Sequence, residues 1–118
     1  MPRTPDKTTA ERDLFRGGLE MMILRSLRQQ PTDGYALVQH IEERSNELLQ
    51  VEEGSLYPAL QRMLKEKLVK AEWELSQTNR RVRTYQIAIS GTRYLEREVF
   101  SFGQMLKGIY LVLSPAES

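Results

Sequence analysis

The sequence predicts a mainly α fold with one small β-hairpin, and three observations support that prediction. Apolar residues recur at helical spacing in three successive segments before residue 68. The period then drops to two on either side of a polar turn. It returns to helical spacing from residue 91 to residue 113, a segment too long and too apolar for a chain of 118 residues to cover alone.

Residues 1–13, rich in Pro and Thr, read as a flexible arm in which Arg3 and Lys7 have no fixed partner. Within the arm, Thr8-Thr9-Ala10-Glu11 matches a capping box, which sets the start of a first helix nearby. Leu14, Phe15, Leu19, Met22, Ile23 and Leu27 form its buried stripe, and Pro31 ends it. Gly17-Gly18 either weakens this helix or admits another backbone. PTDGY (31–35) is turn chemistry, with Asp33 placed to cap a second helix buried through Leu37, Val38, Ile41 and Leu48.

A third helix follows Val51 and carries two unlike faces. On a wheel of about 100° per residue, Leu56, Leu60, Met63, Leu64 and Lys67 lie together; Ser55, Pro58, Gln61, Arg62, Lys65 and Glu66 lie opposite. Tyr57 sits at the boundary, its ring toward the core and its hydroxyl outward. Proline suits only a first helical turn, so Pro58 predicts a start near Gly54 or Ser55. Gly54 would leave that backbone open to a phosphate, met by the free amides of the first turn and the Ser55 hydroxyl.

Val69, Ala71, Trp73 and Leu75 alternate with Lys70, Glu72 and Glu74 as in a half-buried strand, with Trp73 expected in the core against the last helix. SQTNRR (76–81) is a polar turn whose tip holds Asn79, Arg80 and Arg81. Val82 to Ile89 is a second strand with Arg83, Tyr85, Ile87 and Ile89 on one face. Lys70 and Arg83 either join the basic tip or pair with Glu72 and Glu74. From about Gly91, Leu95, Phe102 and Ile109 repeat every seven residues, and so do Val99, Leu106 and Leu113. Such a helix exceeds ~30 Å and requires a partner helix from a second subunit. Gly103 and Gly108 would allow close approach of the two backbones.

Charge and composition narrow the function. Net charge is only +1, yet residues 54–93 hold eight Lys/Arg against three Asp/Glu. Residues 1–53 are net −3, so the basic charge is concentrated in the middle, as in a phosphate-binding footprint. The absence of cysteine excludes disulfides, thiolate metal sites and thiol nucleophiles, and suits the cytoplasm. The longest apolar run, Ile109 to Leu113, falls far short of the roughly 20 residues of a membrane helix. MPRTPDKTTAER lacks the apolar region of a secretory leader, so none is expected. His40 is the only histidine, which leaves no metal cluster and no triad; Glu42-Glu43 and Glu52-Glu53 read as exposed charge. No enzyme, cofactor or metal is expected.

Three helices, a strand, a basic turn, a strand and a long helix make a winged helix-turn-helix domain at 14–90 and a C-terminal dimerisation helix with a short tail at 91–118. In that arrangement the third helix enters the major groove and the hairpin, or wing, reaches an adjacent groove or backbone. Arg62 and Lys65 face the DNA. An alternative is a winged helix that docks its basic face on an acidic protein. A steep salt slope and preference for one palindrome separate the two.

GYALVQHI, EEGSLYPALQRMLKEKLV, RRVRTYQI and SGTRYLERE together resemble the PadR family of transcriptional regulators, over about residues 14–113. The G-S-L-Y-P-A-L element is the specific part, and a single C-terminal helix is similar to the compact subgroup. The resemblance implies a homodimeric repressor of a roughly palindromic double-stranded DNA operator, released by a small-molecule effector that changes the angle between subunits. It assigns Ser55, Tyr57 and Pro58 to recognition-helix positions and Arg80 and Arg81 to the wing. With Gln61, Arg62 and Lys65 these make the expected DNA-binding set. Leu95, Val99, Phe102, Leu106, Ile109 and Leu113 make the expected dimerisation set. The family pattern Y-x-L-T-x-x-G reads here Tyr85-Gln86-Ile87-Ala88-Ile89-Ser90-Gly91, so Ser90 is expected to replace the missing threonine cap. Some members bind planar drugs between tryptophans of the last helix. The single Trp73 lies in the wing strand, so that mechanism is not expected here.

Overall fold

The computed structural model describes the backbone of residues 9–116 and the side chains of residues 17–116. The elements are α1 (Thr9–Gln29), β1 (Thr32–Asp33), α2 (Gly34–Arg44), α3 (Glu53–Lys65), β2 (Val69–Leu75), β3 (Arg81–Ile87) and α4 (Ile89–Leu113). Because α1 starts at Thr9, residues 9–13 belong to a helix rather than to the arm. Thr8 of the expected capping box, Arg3 and Lys7 lie outside the described residues, as do the side chains of Leu14 and Phe15.

The first helix is the spine of the fold. Leu19, Ile23, Leu24 and Leu27 are buried on it, and it packs against α2, α3, β3 and α4. A Cβ added at Gly17 or Gly18 would meet none of the described residues within 4 Å, so neither glycine is needed there for a close approach. Asp33 caps α2 as expected, its carboxylate accepting from the Ala36 amide at 2.9 Å. The second helix buries Leu37 and Ile41 but ends at Arg44. Leu48 therefore leaves the expected stripe: Asn46 and Glu47 take positive φ and turn the chain, and Leu48 is 84% exposed. The chain returns through buried Val51, whose amide donates to the Glu42 carboxylate at 3.2 Å.

Leu56, Ala59, Leu60 and Met63 anchor α3. Each of the large ones contributes about 1.5–3 kcal/mol on full burial. The expected start is corrected by one to two residues: α3 begins at Glu53, so Pro58 lies inside the helix rather than in its first turn. Its missing N–H leaves the Gly54 carbonyl without the usual donor four residues on. The turn before it is tightened, with both Ser55 and Leu56 amides donating to the Glu52 carbonyl at 3.0 Å. Lys67 lies past the helix end, with φ 63, and joins no apolar face.

The three strands form one antiparallel sheet in the order β1-β3-β2. Trp73 faces Arg83, and Val69 faces Ile87. The first strand pairs Thr32 with Tyr85, a two-residue element too short to show a period. Only the base of the hairpin reaches the core: Val69 and Tyr85 are buried, whereas Trp73 is 58% and Leu75 70% exposed. Trp73 is thus a surface residue of the wing and not core against the last helix. Ile89, expected in the strand, opens α4 and is exposed.

Ala88 is the N-cap of α4 and offers no side-chain bond. Ser90 does not replace it. Its hydroxyl donates instead to the Lys67 carbonyl at 2.7 Å, while the Ala88 amide donates to the Leu68 carbonyl at 2.9 Å. These bonds pull the first turn of α4 onto the α3–β2 corner, and Gly91 makes that possible. A Cβ at position 91 would run into the Leu68 carbonyl and lie 2.9 Å from Ile87 Cγ1. Leu95 is the last buried residue of the helix, and α4 projects beyond the core for roughly a further 27 Å at about 1.5 Å per residue. The radius of gyration, 16.9 Å, accordingly exceeds the ~13–14 Å of a compact chain this long.

Gly91→Ala is expected to cost about 1–3 kcal/mol by overpacking against a fixed carbonyl. Gly17→Ala, in open space, should be neutral or stabilising by about 0.5–1 kcal/mol. Thermal melts of the two variants check the contrast, and equal midpoints would remove the role given to Gly91.

Candidate nucleic-acid interface

The glycine of GYALVQHI and the tyrosine of GSLYPAL meet in space. A Cβ at Gly34 would lie 2.9 Å from the Tyr57 hydroxyl oxygen and 3.0 Å from its Cε1. The ring of Tyr57 therefore rests on bare backbone at the start of α2, and locks the start of α3 to it. The ring remains 42% exposed, so it packs on the domain and reaches solvent, as its boundary position implied. Beside it, Tyr35 is exposed and its hydroxyl accepts from Gln39 Nε2 at 3.1 Å. Sequence reasoning assigns Tyr35 only to the turn before α2, because a single exposed aromatic breaks no pattern.

Gly54, Pro58, Gln61 and Lys65 form the exposed outer strip of α3, with Ser55 half-buried at its edge. Arg62 departs from the expectation. Its Nε donates to Glu20 Oε1 at 3.2 Å, and the Glu20 side chain is only 10% exposed. Arg62 thus turns onto α1 and ties α3 to it, leaving Lys65 as the basic group on the outer strip. The helix start is also less welcoming to phosphate than its free amides suggested. Glu52 and Glu53 are exposed there, and the Ser55 amide is already bonded to the Glu52 carbonyl.

The wing supplies the positive surface. Arg80 lies in the turn, where its amide donates to Ser76 Oγ at 3.2 Å and Asn79 takes φ 61. Arg81 opens β3 and stacks over the Trp73 ring with its guanidinium 4.9 Å from the centroid. Arg83 lies between two rings, 5.8 Å from Trp73 and 5.8 Å from Tyr85. It lies on the opposite sheet face from Glu72 and Glu74, which settles the alternative of pairing with them. Glu74 instead accepts from the Thr84 hydroxyl at 3.1 Å. Burial pushes the Tyr85 hydroxyl above its usual range, the Arg83 charge opposes this and Tyr57 adds to it. Tyr85 stays neutral and leaves the Arg83 charge uncompensated.

The expected dimerisation set divides in two. Leu95 is 2% exposed and belongs to the core of its own chain, so it is removed from the set. Val99, Leu106, Ile109 and Leu113 are exposed and Phe102 half-buried, beside an apolar groove of about 600 Å³ between α1, α2 and α4. A Cβ added at Gly103 or Gly108 would meet none of the described residues within 4 Å. Among the described residues, no helix is long and apolar enough to cross a membrane.

The model of the PadR-like transcriptional regulator family matches residues 23–97. A Lysinibacillus sphaericus protein described only as uncharacterized is 30% identical over 106 residues, covering 89% of this chain and 96% of its own. A Clostridium thermocellum transcriptional regulator superposes with a TM-score of 0.79 at 25% identity, over 86% of this chain and 99% of its own. A PadR-like transcriptional regulator of Bacillus cereus gives a TM-score of 0.74 at 30% identity, over 88% and 99%. Family match, winged-helix architecture and a basic wing beside an outward-facing third helix agree: the chain belongs to the PadR-like family of transcriptional regulators, which bind DNA and are not enzymes.

Proposed function

We propose that this regulator is a homodimeric repressor that reads a roughly palindromic operator through α3 and holds the duplex with its wing. One observation carries the reading: α3 turns an exposed strip of Gly54, Pro58, Gln61 and Lys65 outward, while the wing stacks Arg81 and Arg83 on an exposed Trp73. Ser55, Tyr57, Pro58, Gln61 and Lys65 take the major groove, and Arg80 and Arg81 take the adjacent backbone. Arg62 acts as a strut through Glu20 rather than as a reader.

Dimerisation would run through the uncovered stripe from Val99 to Leu113, with the recognition helices spaced by about one DNA turn, ~34 Å. The domain boundary then moves inward, since Leu95 is still core. An effector seated in the groove between α1, α2 and α4 would change the angle between subunits and so release the operator. The regulator would act in the cytoplasm, where its operator is.

Selection from a random duplex library at two salt concentrations tests the reading. Enrichment of an inverted repeat is expected, and weak salt-sensitive binding with no enriched sequence would sink the operator reading in favour of a protein-docking role. On the enriched duplex, Arg80→Ala combined with Arg81→Ala should weaken binding to all sequences alike and lower the log–log salt slope by about 2. Arg62→Met should cost about 1–3 kcal/mol in a denaturant titration, because Glu20 loses a partner at a nearly buried position. Its base preferences should match those of the unaltered chain; a relaxed position in the selected repeat would make Arg62 a reader after all.

A further inference from the structure

One face of the hairpin carries Val69, Ala71, Trp73 and Leu75 opposite Ile87, Tyr85, Arg83 and Arg81. Its base is core and its outer half is not. The outer half alternates cations with rings: Arg81 on Trp73, Arg83 between Trp73 and Tyr85. Stacking occupies the flat faces of a guanidinium and leaves edge N–H groups able to donate. Arg83 is half-buried, with its Nε enclosed and without an acceptor among the described residues, so Arg81 is the more accessible of the two. The wing's carboxylates, Glu72 and Glu74, are on the other face, so nothing in the hairpin neutralises this one. An exposed tryptophan next to two uncompensated guanidiniums fits a surface that is anionic and apolar in alternation. A sugar–phosphate backbone has that character: phosphates for the guanidinium edges and deoxyribose for the ring.

We infer that Trp73 is a positioning residue of the DNA interface, holding Arg81 and Arg83 in a preformed ladder that seats on the sugar–phosphate backbone of the duplex. This rests on the DNA-binding reading and adds to it a residue that carries no charge. Without the ring, each arginine must order its own long side chain on binding, which lowers affinity while leaving the protein's charge unchanged.

Trp73 is the only tryptophan in the chain, so intrinsic fluorescence reports on this site alone. The full chain is titrated with a fluorescein-labelled duplex of mixed sequence at low salt, with anisotropy measuring binding. Acrylamide quenching of Trp73 is read in parallel with the unlabelled duplex. Saturating duplex should shield Trp73 from acrylamide. Trp73→Ala should weaken binding on the order of 3–10-fold, the size of one or two cation–π contacts. Its salt slope should fall by about 1 although no charge has been removed. Trp73→Phe should restore most of the affinity and the slope, and both variants should melt close to the unaltered chain, since the site is exposed. Binding by anisotropy with Trp73 as accessible as in the free protein would overturn the ladder alone. So would a Trp73→Ala variant that binds with unchanged affinity and slope. Shielding by polyglutamate but not by a bound duplex would reassign the surface to an acidic protein. No duplex binding at all would sink the DNA reading and this inference with it.

Discussion

Where α4 leaves the core decides what the whole molecule can reach. Its first turn is pressed onto the α3–β2 corner by the Ala88 amide on the Leu68 carbonyl and the Ser90 hydroxyl on the Lys67 carbonyl. The approach is closer than any side chain at position 91 allows. Four residues later Leu95 is locked among the core residues, and with two fixed points the direction of the helix is set. Everything beyond Leu95 is a lever about 27 Å long, by the rise of an α-helix. A small rotation at the Gly91 corner becomes a displacement of several ångströms at the far end. If a second subunit grips that end, the corner governs the spacing of the two recognition helices.

The second constraint is that α3 must be held firmly while showing a bare outer strip. Three ties accomplish this from three sides. Leu56, Ala59, Leu60 and Met63 hold it from beneath. Tyr57 on Gly34 holds its start against α2. Arg62 on Glu20 holds its later turns against α1. The last tie is only partly buried, so its energetic contribution is modest; its use is directional, because it removes an arginine from the outer strip. The strip that remains is sparsely charged, with Lys65 at one end and the Glu52 and Glu53 carboxylates at the other. On the reading proposed above, attraction to a polyanion comes mainly from the wing, and α3 is left to discriminate by shape and hydrogen bonding.

Most of the architecture was legible because it rests on period. The switch from 3.6 to 2 and back located all four helices and both hairpin strands. The errors have physical causes. Leu48 was assigned to α2 by spacing alone, but two positive-φ residues break the helix first. Pro58 suggests a first turn, but α3 begins five residues before it, with a first turn tightened on the Glu52 carbonyl. Ala59 and Leu24 were missed as core because one is small and the other falls off the assigned stripe. Leu95 continued the heptad of the dimer stripe, and no periodicity distinguishes burial within a chain from burial between chains. Of the candidate site, the outer strip of α3 and the basic tip could be read directly. The fate of Arg62 could not, because its partner lies 42 residues away.

Trp73 is the clearest case of pattern outrunning geometry. Alternation assigned it correctly to the face shared with Val69, and that face is core at its base. Strands rise about 3.3 Å per residue, so Trp73 stands roughly 13 Å further out than Val69, past the edge of what α1 and α3 can cover. A strand face therefore does not have one environment. Near the domain it packs Val69, Ala71 and Tyr85; further out the same face meets solvent, and there the sequence supplies arginines across from the ring. Those arginines occupy the positions that apolar partners hold at the base, which is why the face changes from core to cation–π ladder without a change of register. The hairpin is long enough to reach beyond its own domain, and the face that carries Trp73 is charged only where it does so. Its outer half is built for contact with something other than the domain that carries it.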